Sequence, residues 1–123
     1  MVGAPSLASY ILKSKSLTQT LMPLAKTYAR LAGYRKMGLK YDDLLPEEND
    51  TMQKAIKRLP ERESYDRAFR LRQALQLSAK HHLLPEQDWV KPGEDTRYMT
   101  PLAEEVAKEA SEREEFDTLK VQK

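Results

Sequence analysis

The chain has no cysteine, so it contains neither disulfides nor thiolate metal sites; that absence is neutral about compartment. No run of 18 apolar residues occurs, so no segment has the composition of a bilayer-spanning helix. Four scattered glycines cannot build a phosphate loop or a dinucleotide fingerprint, and there is no G-x-S-x-G elbow. Alternating apolar runs never reach five residues, and valine and isoleucine are scarce. A β protein is therefore excluded, and helical spacing dominates. Nine aromatic residues among 123, with 33% of the chain charged, allow only a modest core. That composition lies between an ordinary globular domain and a chain that leans on a partner for burial.

One further absence is local. Residues 1–41 carry Lys13, Lys15, Lys26, Arg30, Arg35, Lys36 and Lys40 and not one acid, while all 19 Asp and Glu lie in residues 42–123. A net charge of +2 thus hides a head of +7 and a body of −5. The N-terminal stretch is small, hydroxyl-rich and basic, in keeping with a mitochondrial import segment or with a solvated basic head. Short amphipathic segments with lysines on the polar side suit an anionic membrane surface or an acidic protein face.

The reading is all-α: about four main helices joined by short connectors containing Pro and Gly, in a single domain. Residues 1–32 form the basic helical head, 33–50 a connector, 51–99 the central helices, and 100–123 a last helix and tail. Leu7, Tyr10 and Ile11 make one amphipathic turn. Leu17, Leu21, Leu24, Tyr28 and Leu31 make a stripe interrupted by Pro23, so the head helix is expected from Pro23 to Gly33. Asp50 is the expected cap of a helix whose buried face is Met52, Ala55, Ile56 and Leu59. A longer helix follows Pro60, with Ala68, Leu71, Leu75 and Ala79 as its apolar stripe, widened by Tyr65, Phe69 and Leu77. Residues 85–89 can form one turn. Thr100 can cap the last helix, striped by Leu102, Val106 and Ala110; its end beyond residue 110 is polar and expected to fray.

Candidate chemistry is thin. Asp42, Asp43, Glu47, Glu48 and Asp50 lack the alternating order of a calcium loop and read as a solvated turn or salt-bridging surface. His81 and His82, about 100° apart on a helix, cannot easily share a metal, and they suit the negative end of a helix dipole. Glu63 lies four residues before Arg67, and Asp66 four before Arg70, so the long basic helix is expected to neutralise itself rather than bind nucleic acid. No catalytic, metal or cofactor residue emerges. The residues alone describe a helical, non-catalytic interaction protein with a basic head.

Three blocks say more. "YRKMGLKYDDLLPEEND", "ALQLSAKHHLLPEQDW" and "EDTRYMTPLAEEV" occur in that order between Gly33 and Val106. Together they resemble the 14-kDa subunit family of the mitochondrial cytochrome bc1 complex, also called subunit 7 or the ubiquinol–cytochrome c reductase binding protein, in its fungal form. The resemblance implies a helical accessory subunit without a prosthetic group. It would lie peripherally on the matrix side of the inner membrane, against cytochrome b and the core subunits, with subunit 8 nearby, and support assembly of complex III. Nothing in the sequence resembles a quinone pocket. Lys13, Lys15, Lys26 and Arg30 become candidates for contact with the membrane side, where an acid-free head avoids repulsion by anionic phospholipid. Tyr34, Arg35, Tyr41, Asp42 and Asp43 become docking candidates, with Trp89 an interface anchor. Two other readings remain: a mitochondrial assembly factor of the leucine-tyrosine-arginine type, for which Tyr34-Arg35 is the partial match, and a basic RNA-binding helical module.

Overall fold

The computed structural model describes residues 7–119. The expected import-like start and the C-terminal tail lie partly outside that range, at residues 1–6 and 120–123. Among the described residues there are helices and turns and no strand. The chain divides into two compact units, Met1–Gly33 and Tyr34–Lys123.

The first unit holds α1 (Ala8–Lys13) and α2 (Lys15–Leu31). The expected start at Pro23 is corrected: α2 begins eight residues earlier and carries Pro23 inside it. The break falls instead at Ser14, whose backbone is extended (φ −101°, ψ 111°). Thr18 Oγ1 donates to both the Ile11 and Ser14 carbonyls there, at 2.9 Å each, and ties the two helices across the break. Proline removes the amide that would serve the Gln19 carbonyl and its ring crowds that carbonyl, but Gln19 is exposed, so the carbonyl can tilt out to water. No residue of α1 or α2 is buried.

The second unit begins with two 3₁₀ turns, Tyr34–Met37 and Tyr41–Leu44. Then come α3 (Asp50–Lys57), α4 (Glu61–Ala79), a short turn at Glu86–Asp88, and α5 (Thr100–Thr118). Asn49 rather than Asp50 caps α3: its side chain accepts from the Thr51 amide at 3.0 Å. The α3 stripe behaves as its spacing demands. Met52 and Ala55 are buried against Met99 and Val106, with Ile56, Leu59 and Leu102 packed around them. A second cluster joins Tyr34 and Leu39 to Ala74 of α4.

On α4 the expected stripe is only partly used. Leu71 packs inward, but the buried residues are Arg67 and Ala74, while Tyr65 and Phe69 stay 69% and 65% exposed. The inward face is occupied by a guanidinium network described below. On α5 Val106 is buried and Ala110 is exposed, and the helix does not fray after residue 110 but runs to Thr118.

The α4 terminus is closed by geometry more than by charge. His81 takes a left-handed backbone (φ 53°). Its amide donates to the Ser78 carbonyl, and the His82 amide donates to that of Leu77, satisfying two carbonyls of the last turn. This position favours glycine, because a Cβ there crowds the following carbonyl. His81→Gly is expected to stabilise the protein by about 1 kcal/mol, seen as a higher urea midpoint with unchanged slope.

Candidate functional site

Among the described residues, the connector from Tyr34 to Leu44 bonds to α4, to residues 84–95 and to the start of α5, and Gly38 lets it curl. Gly38 has φ +79°, the left-handed region that favours glycine, and a Cβ there would press on the ends of two side chains, 2.9 Å from Gln73 Oε1 and 3.0 Å from Leu84 Cδ1. The 3₁₀ turn then sets Asp42 and Asp43 about 120° apart, and the two adjacent carboxylates serve different helices.

Asp42 is wholly buried. One oxygen accepts from the Met99 and Thr100 amides at 2.8 Å each, and the other from Thr100 Oγ1 at 2.7 Å. These are the free amides at the start of α5, so a residue 57 positions away caps that helix and places a negative charge at its positive end. Thr100, the expected cap, is the capped residue instead: its own side chain is a donor to Asp42.

Asp43 is likewise buried, which corrects the expectation of a solvated acidic turn. It accepts from the Lys40 amide at 2.9 Å, from Arg70 through Nε and Nη2 at 2.7 and 3.0 Å, from Arg67 Nη1 at 3.4 Å, and from the Tyr98 hydroxyl. Arg67 also donates to Tyr98 and to Glu47. The expected pairing of α4 with itself is thus replaced by cross-chain pairs, Glu63 alone reaching Arg70 at 3.5 Å. A buried bidentate carboxylate–guanidinium pair outcompetes an exposed i,i+4 pair, which contributes only about 0.3–0.5 kcal/mol. Burial alone would raise the Asp43 carboxyl, but hydrogen bonds from Arg70 and Tyr98 outweigh it and hold the group below its ordinary value. Burial pulls the Arg70 guanidinium down, and Asp43 more than reverses this. Burial and the Asp43 carboxylate push the Tyr98 hydroxyl up to about 12.

A third carboxylate, Asp95, gathers the rest. It accepts from Tyr34 Oη at 2.6 Å, Arg35 Nε at 2.9 Å and the Tyr41 amide at 2.8 Å. Burial works to raise it, and these donors together bring it below its ordinary value. Tyr34 and Tyr41 meet edge to face, and Arg97 lies over the Tyr41 ring at 3.8 Å. Trp89 is half-buried: its Nε1 donates to the Leu84 carbonyl at 2.7 Å, and Lys36 Nζ sits 5.3 Å from its ring centre. The Leu84 and Val90 amides donate to the Lys36 and Arg35 carbonyls at 3.1 Å, clipping residues 84–90 to the connector.

The docking candidates therefore divide. Tyr34, Asp42 and Asp43 face inward, Arg35 spans the surface, and Tyr41 remains 41% exposed. Lys13, Lys15, Lys26 and Arg30 are exposed on the other unit. Sequence reasoning missed Asp95, Tyr98, Arg67 and Arg70 as partners; their presence in or between the three quoted blocks was the available signal. Every buried side-chain nitrogen and oxygen among the described residues has a partner, so the network is a closed fastening. Also among them, no three His, Asp or Glu side chains are grouped to hold a metal ion.

A family model described as "Ubiquinol-cytochrome C reductase complex 14kD subunit" matches residues 15–114. The chain is 47% identical over 117 residues to the mitochondrial cytochrome b-c1 complex subunit 7 of Saccharomyces cerevisiae, covering 95% of this chain and 92% of that protein. It is 45% identical over 122 residues to subunit 7 of Neurospora crassa, covering 99% of each. Against subunit 7 of Pongo abelii the identity is 44% over 93 residues, 76% of this chain and 83% of that protein.

Removing the charge of Asp43 takes the bidentate partner from Arg70, leaving it Glu63 at 3.5 Å, while Arg67 keeps Glu47 and Tyr98. Asp43→Asn is expected to lower stability by about 2–3 kcal/mol in urea unfolding. Asp66→Asn, at an exposed position of α4, should stay within about 0.5 kcal/mol. Equal losses would overturn the cross-chain pairing.

The same network sets a pH window. Asp43 and Asp95 titrate lower in the fold than the unfolded value of about 3.9. Their stabilisation is complete above about pH 4 and is lost as pH falls through the folded values. Tyr98 titrates near 12 in the fold against about 10 unfolded, so its contribution is complete below pH 10 and is lost as pH rises towards 12. A melting-temperature profile should fall on both sides of that window. Asp95→Asn should flatten the acid limb and Tyr98→Phe the alkaline one.

Proposed function

The chain belongs to the family of the 14-kDa subunit of the ubiquinol–cytochrome c reductase complex, and from that premise we propose that it is a non-catalytic structural subunit of the mitochondrial cytochrome bc1 complex. It acts peripherally on the matrix side of the inner membrane, where it stabilises cytochrome b with the core subunits, near subunit 8 in the fungal complex. No described helix is long and apolar enough to cross a membrane, which accords with a peripheral position.

The observation that carries this reading is unfinished burial. Tyr65, Phe69 and Leu75 project from α4, all well over half exposed. Large apolar side chains in such numbers are what a subunit presents before assembly. In the second unit the exposed Tyr41–Arg97 pair and the half-buried Trp89 are docking points, with Arg35 at their edge. Tyr34, Asp42 and Asp43 support that surface from beneath. Of the arginines behind the nucleic-acid reading, Arg67 and Arg70 are neutralised internally.

The test is a native gel of inner membranes solubilised in mild detergent, following a C-terminal tag. The tag should migrate with cytochrome b, and deletion should prevent the complex from accumulating. A small free species, with ubiquinol–cytochrome c reductase activity unchanged on deletion, would sink the proposal.

A further inference from the structure

We infer that α2 is a membrane-surface helix, lying on an anionic bilayer with its leucine stripe against the lipid and its cations among the headgroups. On a helix of 3.6 residues per turn, Leu17, Leu21, Leu24, Tyr28 and Leu31 fall within an arc of about 80°. Lys15, Lys26 and Arg30 fall within about 60° on the opposite side. The second half of the stripe is bare: Leu24, Tyr28 and Leu31 are 67%, 75% and 78% exposed, while Leu17 and Leu21 are partly covered, and no residue of α2 is buried.

The borders between these faces carry an independent signal. Thr18 lies on one edge, and Thr20 and Thr27 on the other. Each hydroxyl already donates within the helical unit: Thr18 to Ser14, Thr20 to Ser16 and Thr27 to Pro23, at 2.9–3.0 Å. A hydroxyl whose proton is engaged costs less to bring to an apolar boundary. The helix can therefore sink to its threonine borders without leaving a threonine donor unmet.

Charge selects the occupant. α1, α2 and everything before Asp42 lack a single acid. A surface of one sign matches a leaflet rich in anionic headgroups. An interfacial helix buries its apolar face by about 5–10 Å, and a helix is about 10–12 Å across. Cations opposite the stripe thus stand at headgroup height.

This inference rests on the complex-subunit reading only in naming an inner-membrane leaflet as the source of the surface. A vesicle assay contains no complex, so its result is separate from that of the native gel. The full-length chain should sediment with vesicles of phosphatidylcholine and phosphatidylglycerol and not with phosphatidylcholine alone. Replacing Lys15, Lys26 and Arg30 together by Gln should weaken binding about a hundredfold, at roughly fivefold per cation. The combined variant Lys15→Arg, Lys26→Arg should bind as the original does, which separates lost charge from lost folding. Since the chain has no cysteine, a polarity-sensitive dye can be placed uniquely. It should shift to the blue on anionic vesicles at Leu24→Cys and not at Lys26→Cys. Equal binding to neutral vesicles, undiminished binding by the Gln variant, or equal dye shifts on both faces would each overturn the assignment. So would a blue shift that grows with protein concentration without lipid, which would make a second copy of the chain the occupant.

Discussion

The Asp42–Asp43 pair is the constraint on which the second unit is built. Two carboxylates adjacent in sequence are both inside the protein, an arrangement that repulsion and desolvation oppose. It persists because the 3₁₀ turn aims them apart and gives each its own positive partner. Asp42 meets the amides and the dipole of a helix start, whereas Asp43 meets two guanidinium groups and a phenol. Buried ion pairs contribute little net stability relative to a well-packed apolar core, because desolvation offsets most of the attraction. Their effect here is selective. Slipping α4 by one residue would remove Arg67 and Arg70 from Asp43, and starting α5 elsewhere would strand Asp42. Only one mutual placement of connector, α4 and α5 satisfies both.

That solution explains the thin core. The side of α4 that faces the unit carries Arg67 in the position a leucine would take in an ordinary bundle. Apolar burial is consequently confined to small clusters around Met99 and Ala74. Tyr65, Phe69 and Leu75, which periodicity would have placed inside, are left on the surface. A closed polar network and an unfinished apolar surface are two sides of one arrangement. The network fixes the mutual placement of connector, α4 and α5, and the aromatics of α4 stay outside it.

What could be read from sequence follows the range of each interaction. The α3 stripe, the start of α4 after Pro60 and the turn at Glu86–Asp88 depend on neighbours within four residues, and local pattern revealed them. The cap of α5 comes from 57 residues away, and Arg70 is paired 27 residues away, so spacing rules could not find either. The i,i+4 rule named Glu63 and Asp66 as partners because it sees only the helix surface. Pro23 misled for a related reason: the Gln19 carbonyl it frees is exposed and can turn to water, so α2 continues through the proline.

The blocks that carry the family resemblance are also the segments that meet. Residues 34–44 bond to residues 84–90 through the backbone and to residues 95–100 through three aspartates. A residue in one block therefore fixes what the other blocks must supply: an acceptor at 42 requires donors at 99 and 100, and an acid at 95 requires Tyr34 and Arg35. Such reciprocal demands hold a sequence pattern in register across long separations, which is why three short blocks identify a family where composition could not. The head is held differently. Among its described residues no side chain of α1 or α2 is buried, so its pattern is only a period and a sign of charge. Both are rules for meeting a surface rather than for closing a core, and they leave individual residues free so long as the stripe stays apolar and the opposite face stays basic.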